Sequence, residues 1–240
     1  MNEDTIVIMV SIGERSHLTD FSFPRLSKWA SKHGYSSILL KKAYNPLNRA
    51  PHFNKLQVHK LLPNFKRFII VDDDLLLSID APAMESVPTG HIGLCRDSEQ
   101  RHTEAKHVTW TANTGFIVFE REAAYLLDEA YEKGEHQFEY LDGSKKSIWG
   151  PHDQGIVNDV LFRNKKVFEL NYKWNYQPVL EFFINGKDWT EWQNNKLYRL
   201  AYYSSLISPF PNKNKRAIKN AYGLHLIRAP YPAFFSKIFK

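Results

Sequence analysis

A single cysteine, Cys95, and three methionines are all the sulfur in this 240-residue chain. One thiol cannot close an intramolecular disulfide or supply a Cys-cluster zinc site. That usage fits a cytosolic setting. No apolar run reaches the length of a membrane span. The opening residues Met1-Asn2-Glu3-Asp4 are acidic and polar, unlike a signal peptide. The sequence shows no repeat, low-complexity tract or obvious linker. Its formal charge is +6, but the basic residues are spread out with no dense stripe. Nucleic acid is therefore not an expected partner. Nucleotides or an anionic lipid surface suit the charge better.

What is present is a globular composition, 43% apolar and 24% charged, with length enough for one α/β domain and a sizeable core. Residues 5–10 read as a buried strand. Residues 20–33 read as a helix with Thr19 or Asp20 as cap, Pro24 near its first turn and Gly34 as its stop. Residues 37–40 read as a strand, and residues 54–62 as a helix ended by Pro63. A third strand follows. This βαβαβ order predicts a nucleotide-binding half on a doubly wound sheet.

That third strand is the most informative stretch. Phe68-Ile69-Ile70-Val71 runs directly into Asp72-Asp73-Asp74, and Leu75-Leu76-Leu77 follows. Carboxylates at the end of a buried strand lie where open α/β sheets bind ligands. Side chains at i and i+2 of extended chain share a face, so Asp72 and Asp74 point together and Asp73 points away. Their Cα atoms would be roughly 6.5 to 7 Å apart. A hard divalent cation with oxygen ligands at about 2.0 to 2.2 Å fits between them. The plainer alternative is three acids that cap the next segment or pair with Arg or Lys. Unpaired charge after an apolar strand is costly, which weighs against it.

Later segments add polar groups at element boundaries. Strands are expected at 91–95 and 115–119, with Asn113-Thr114-Gly115 as a glycine turn entering the second. Helices are expected at 122–131 and 153–162, with Asp153 near the positive end of the latter and Gln154 beside it. Residues 96–107 and 142–151 read as loops, and Asn185-Gly186 as a hairpin turn. Leu170-Asn171-Tyr172-Lys173-Trp174-Asn175 places aromatic and amide groups after a short strand, and His225 stands between Leu224 and Leu226.

In this order, Asp72-Asp73-Asp74, the Asn113 strand, Asp153-Gln154…Asn158 and His225 resemble the GT-A glycosyltransferases. The similarity is greatest to the retaining clan of glycogenin and the bacterial lipooligosaccharide galactosyltransferases, and covers about residues 5–230. It implies one α/β GT-A domain over residues 1–240. The nucleotide-binding half would span about 1–80, the acceptor half about 81–230, and a basic aromatic tail 231–240. It implies that Asp72, Asp74 and His225 hold Mn²⁺ or Mg²⁺ against the diphosphate of a nucleotide sugar, with a UDP-hexose as donor. Asn113, Asp153 and Gln154 would line the sugar and acceptor pocket, and Lys55 would face the donor. The acceptor implied is a glycan or lipid-linked glycan of cell-surface polysaccharide or lipopolysaccharide synthesis, and the setting the cytoplasm or the inner face of a membrane. Two carboxylates and an imidazole suit Mn²⁺ somewhat better than Mg²⁺. The resemblance also implies transfer with retention, in which the leaving phosphate can take the acceptor proton and no strong general base is required.

The family's glycine and lysine after the metal histidine are replaced here by His225-Leu226-Ile227-Arg228-Ala229-Pro230, so Arg228 stands in for the phosphate-contacting lysine. The loop Ser11-Ile12-Gly13-Glu14-Arg15 lacks the aromatic or amide groups often found near uracil. Each residue also has an ordinary structural reading. His225 suits a core, Asp153 a helix cap, Asn113 a turn and Lys55 a solvated helix face. Trp174, Trp189 and Trp192 suit either a core or sugar stacking. The tail, Phe234-Phe235-Ser236-Lys237-Ile238-Phe239-Lys240, suits an anionic membrane or a packed helix. Two other classes fit the composition: another metal-dependent phosphate enzyme, such as a nucleotidyltransferase or phosphohydrolase, and a non-catalytic glycan or nucleic-acid binding module.

Overall fold

The computed structural model describes residues 4–42, 44–98, 100, 106–135, 138–139, 145–146, 152–178, 195–227 and 232–239. Hydrophobic alternation organises its centre. In β1 (Thr5–Val10) and β3 (Arg67–Asp72), Ile6, Ile8, Phe68 and Ile70 face one side of a sheet, and Val7, Met9, Ile69 and Val71 the other. The strands carry continuous apolar runs because helices cover both faces. Helix α1 (Ser16–Lys32) packs Leu26, Trp29 and Ala30 on the second face. Helices α3 (Ala124–Lys133) and α4 (Gln154–Arg163) pack Leu126, Leu127, Ile156, Val157 and Val160 on the first. Each such fully buried side chain contributes about 1.5 to 3 kcal/mol.

With β2 (Ser36–Leu40), β5 (Ile92–Arg96), β6 (Ala112–Glu120) and β9 (Val167–Leu170), these strands form a six-stranded sheet in the order β2-β1-β3-β6-β5-β9. It is mostly parallel, and β6 runs against both its neighbours. Asp72 closes β3 opposite Val10 of β1. Because β6 is antiparallel, its first residues, Ala112 to Gly115, project past the end of β3 toward the same rim. The chain turns at Asp73 and Asp74 into β4 (Leu75–Leu77), and β10 (Gly223–His225) returns to pair with β4, Leu75 opposite His225. A separate two-stranded pair joins β7 (Phe138–Glu139) and β8 (Lys145–Lys146).

Several boundaries differ from the sequence expectation. Helix α1 begins at Ser16, with Pro24 well inside it. Its entry is fixed by tertiary contacts of Arg15 and Ser22 with Asp73 and not by a capping side chain. Residues 51–57 form a 3₁₀ helix, and only Val58–Leu61 (α2) is α-helical. Asn113 lies within β6 and not in a turn, because buried side chains elsewhere satisfy its amide. Helix α5 (Lys196–Ile207), helix α6 (Lys213–Asn220) and helix α7 (Pro232–Ile238) complete the described chain. Of the two readings of the tail, the packed helix is the one found: Phe235 and Phe239 are buried with Tyr202 and Leu206. Trp174 is core, stacked on Phe116 and edge-on to Trp29. The Asn185-Gly186 turn, Trp189, Trp192 and Arg228 lie outside the described residues. No helix among the described residues is long and apolar enough to cross a membrane.

Candidate active site

The turn after β3 is gripped from both sides. Asp73 points away from its neighbours, as alternation requires. Arg15 donates to it twice, from Nε at 2.5 Å and Nη2 at 2.7 Å, and the Ser11 hydroxyl at 2.8 Å. Ser22 Oγ donates to the Asp73 carbonyl at 2.8 Å, and the Leu226 N–H to the Asp74 carbonyl at 2.8 Å. The bidentate Arg–carboxylate fork fixes orientation as well as charge. So the middle acid of the three is structural, and the outer two are left to converge.

They converge with His225. One ligand atom each from Asp72, Asp74 and His225 lies within 4.8 Å of the others. His225 Nε2 is 3.0 Å from Asp74 Oδ1, and Nδ1 is 2.7 Å from Asn175 Oδ1. Burial by itself lowers the His225 pKa, but Asp74, with Asp72 adding to it, raises it above the ordinary value. Burial by itself raises that of Asp74, but His225, aided by Arg15, holds it below the usual carboxylate range. A proton or a metal cation between these two atoms satisfies both. Two carboxylates and an imidazole form a mixed O/N donor set, so the three residues fit Mn²⁺ or Mg²⁺. Gly115 makes room for the ring: a Cβ there would stand 2.7 Å from His225 Nδ1 and closer still to Cε1.

Lys55 is buried rather than on a solvated face. Its ammonium donates to Asp72 Oδ1 at 2.9 Å and to the Thr114 carbonyl at 2.8 Å, and sits 3.4 Å from Asp153 Oδ2. Burial works to lower the Lys55 pKa, yet Asp153 and Asp72 raise it well above the usual lysine value. Asp153 precedes α4 but makes no side-chain cap. Its Oδ2 is buried and accepts no hydrogen bond, since the Lys55 contact is a charge contact only. Burial first, with Asp72 adding, pushes its pKa up despite Lys55. Gln154 is buried beside it, accepting from Asn113 Nδ2 and the Thr114 N–H and donating to Asp97. The structure thus brings together Lys55, Asp72, Asp74, Asn113, Asp153, Gln154 and His225. The sequence reading does not single out Asp97, marks Asn175 only as one amide of the 170–175 segment, and gives Ser11 and Arg15 no individual role. The signal for Asp97 was a carboxylate after a second apolar strand, a smaller version of the β3 pattern.

Solved structures share this fold. A glycosyltransferase involved in glycosylation of the major capsid of PBCV-1 superimposes with a TM-score of 0.58 at 11% identity, covering 98% of each chain. The galactosyltransferase LgtC, solved with donor and acceptor sugar analogues, superimposes with a TM-score of 0.57 at 12% identity, covering 97% of this chain and 94% of that one. The chain has the GT-A fold. No family model and no curated protein matches the sequence. In this fold the β3 turn stands at the carboxyl ends of β1 and β3, where open sheets of this kind place ligands.

Proposed function

We propose that the protein is a cation-dependent glycosyltransferase that moves a hexose from a nucleotide sugar, a UDP-hexose, to a glycan or lipid-linked glycan, with retention. The observation that carries this reading is the convergence of Asp72, Asp74 and His225 at the rim of a GT-A sheet. When bound, the cation neutralises charge that builds on the donor diphosphate as the sugar–phosphate bond breaks. Asp72, Asp74 and His225 hold it. The Lys55 ammonium sits between Asp72 and Asp153 and offsets the repulsion between their charges. Asp153 Oδ2, which accepts no hydrogen bond, offers an acceptor for a sugar hydroxyl and a carboxylate to a developing oxocarbenium ion. Gln154, next to it, orders that wall of the pocket.

A lipid-linked acceptor would bring the enzyme to the inner face of a membrane. With the tail phenylalanines Phe235 and Phe239 packed inward, the surface that supports such contact is exposed Leu197 and Leu200 of α5 and Phe210, beside the basic α6 with Lys213, Arg216 and Lys219. A thermal-shift panel of nucleotide sugars with and without Mn²⁺ tests the donor and the cation together. A shift for a UDP-hexose that needs Mn²⁺ supports the reading. Turnover undiminished in excess EDTA would remove the cation from it.

A further inference from the structure

Asn113 has the residue type and position expected of a donor contact, but its hydrogen bonding is already complete. An asparagine side chain can accept two hydrogen bonds at Oδ1 and donate two from Nδ2. Here Oδ1 accepts from the Gly115 N–H at 2.8 Å and from Asn175 Nδ2 at 2.7 Å. Nδ2 donates to Asp97 Oδ2 at 2.9 Å and to Gln154 Oε1 at 3.1 Å. All four sites are filled by protein, and Asn113 is buried. A sugar hydroxyl would have to displace one of these bonds.

The orientation of each amide follows from partners that have no choice. The Gly115 N–H can only donate, so Oδ1 of Asn113 must face it. The remaining lone pair of that oxygen then meets Asn175, which must present Nδ2. Asn175 Oδ1 therefore faces His225 Nδ1 at 2.7 Å and can only accept. His225 must carry a hydrogen on Nδ1. The Thr114 N–H fixes Gln154 in the same way, turning its Nε2 to Asp97 Oδ2 at 2.9 Å.

We propose that Asn113 and Asn175 form a two-amide relay, anchored on Asp97 and the Gly115 N–H, that holds His225 with its hydrogen on Nδ1 and its Nε2 lone pair turned to the cation between Asp72 and Asp74. Asn113 and Asn175 are positioning residues. Asn113 acts on the cation site through Asn175 and not on the donor. This rests on the cation reading of Asp72, Asp74 and His225. Outer partners of this kind set the tautomer of a metal histidine, and their loss typically costs about 10- to 100-fold in metal affinity.

The test uses the full chain, stripped with chelator and titrated with Mn²⁺ by calorimetry. Asn175→Leu and Asn113→Ala should each weaken Mn²⁺ binding about 10- to 100-fold. Asn175→Asp, which still accepts from Nδ1, should restore most of it. With Mn²⁺ raised to saturation, Asn113→Ala should bind the sugar nucleotide that stabilises the wild type as tightly as the wild type does, whereas loss of a sugar contact would weaken that sugar nucleotide, and not UDP, at any Mn²⁺ concentration. If the substitutions prevent folding, the wild type loaded with diamagnetic Mg²⁺ still decides: nitrogen-resolved NMR should show a slowly exchanging hydrogen on His225 Nδ1. A hydrogen on Nε2 instead, or Mn²⁺ affinity unchanged in folded Asn113→Ala and Asn175→Leu, overturns the relay. Failure of the wild type to bind either cation, with the Nδ1 hydrogen still protected in the metal-free protein, overturns the cation reading and with it the proposed role, leaving the amide chain as a structural feature.

Discussion

Gly115→Ala puts one methyl group into the space the His225 ring occupies. That methyl would stand 2.7 Å from His225 Nδ1 and 2.9 Å from Asn113 Oδ1. Taking about 3.5 Å as an optimal separation, the ring must retreat by at least about 0.8 Å. Metal–ligand distances tolerate only about 0.2 Å, so the imidazole leaves the cation or the strand distorts. Overpacking of a core typically costs about 1 to 3 kcal/mol, and at about 2 to 4 °C per kcal/mol for a chain of this size the melting temperature should fall by roughly 2 to 12 °C. Mn²⁺ affinity should fall by at least about 10-fold, as for loss of any ligand-orienting contact. The control is Gly93→Ala, where a Cβ meets Val87 Cγ2 at 2.8 Å and Leu170 Cδ2 at 3.1 Å, far from the acids. It should lower the melting temperature and leave Mn²⁺ binding alone. Calorimetry and circular dichroism on both variants separate packing from ligation. A folded Gly115→Ala protein that binds Mn²⁺ within twofold of wild type would refute the placement of His225 as a ligand.

Asp74→Asn should abolish transfer while the protein stays folded, read by sugar-nucleotide turnover and circular dichroism. Lys55→Met leaves Asp72 and Asp153 facing each other without their cation. Breaking such a buried pair costs about 3 to 5 kcal/mol. The loss should deepen as pH rises, because Asp153 already has a raised pKa and the folded variant holds its proton longer than the unfolded chain does; melting curves from pH 4 to 9 check the sign. Arg15→Ala removes two of the three side-chain donors to the buried Asp73 and leaves the Ser11 hydroxyl, at about 1.5 to 3 kcal/mol for bonds to a charged group, and should weaken Mn²⁺ binding by slackening the turn. In chelator-treated protein the Asp74–His225 pair should stabilise best between the ordinary carboxylate and imidazole values. The contribution is lost as pH falls through the depressed Asp74 pKa and as it rises through the elevated His225 pKa, which urea titrations across pH would show.

The sheet was legible because β1 and β3 are buried on both faces, so their apolar runs state their position without help from partners. The outer acids were legible for the same reason: charge after such a run needs a purpose. Helix α1 was misplaced at its start because Arg15 and Ser22 grip Asp73 from about 50 to 60 residues away, and no local cap announces it. Asn113 was read as a turn residue because asparagine next to glycine is the usual turn signature. Its place inside β6 depends on Asp97, Gln154 and Asn175, which local pattern cannot bring together. Lys55 looked like a surface lysine on a helical stretch, since nothing nearby in sequence shows that two carboxylates will enclose it. Asp97 and Asn175 are unremarkable as letters; their meaning lies in which atoms can only donate and which can only accept.

The pairing of β10 with β4 has a consequence for synthesis. The two outer acids leave the ribosome early and can settle into a growing sheet, but their imidazole partner follows about 150 residues later, a contact of very long range. A nascent or prematurely terminated chain therefore lacks the imidazole of the proposed cation site. On the proposed reading such fragments would hold the cation with two ligands at most, so the site is complete only when the returning ribbon pairs with β4.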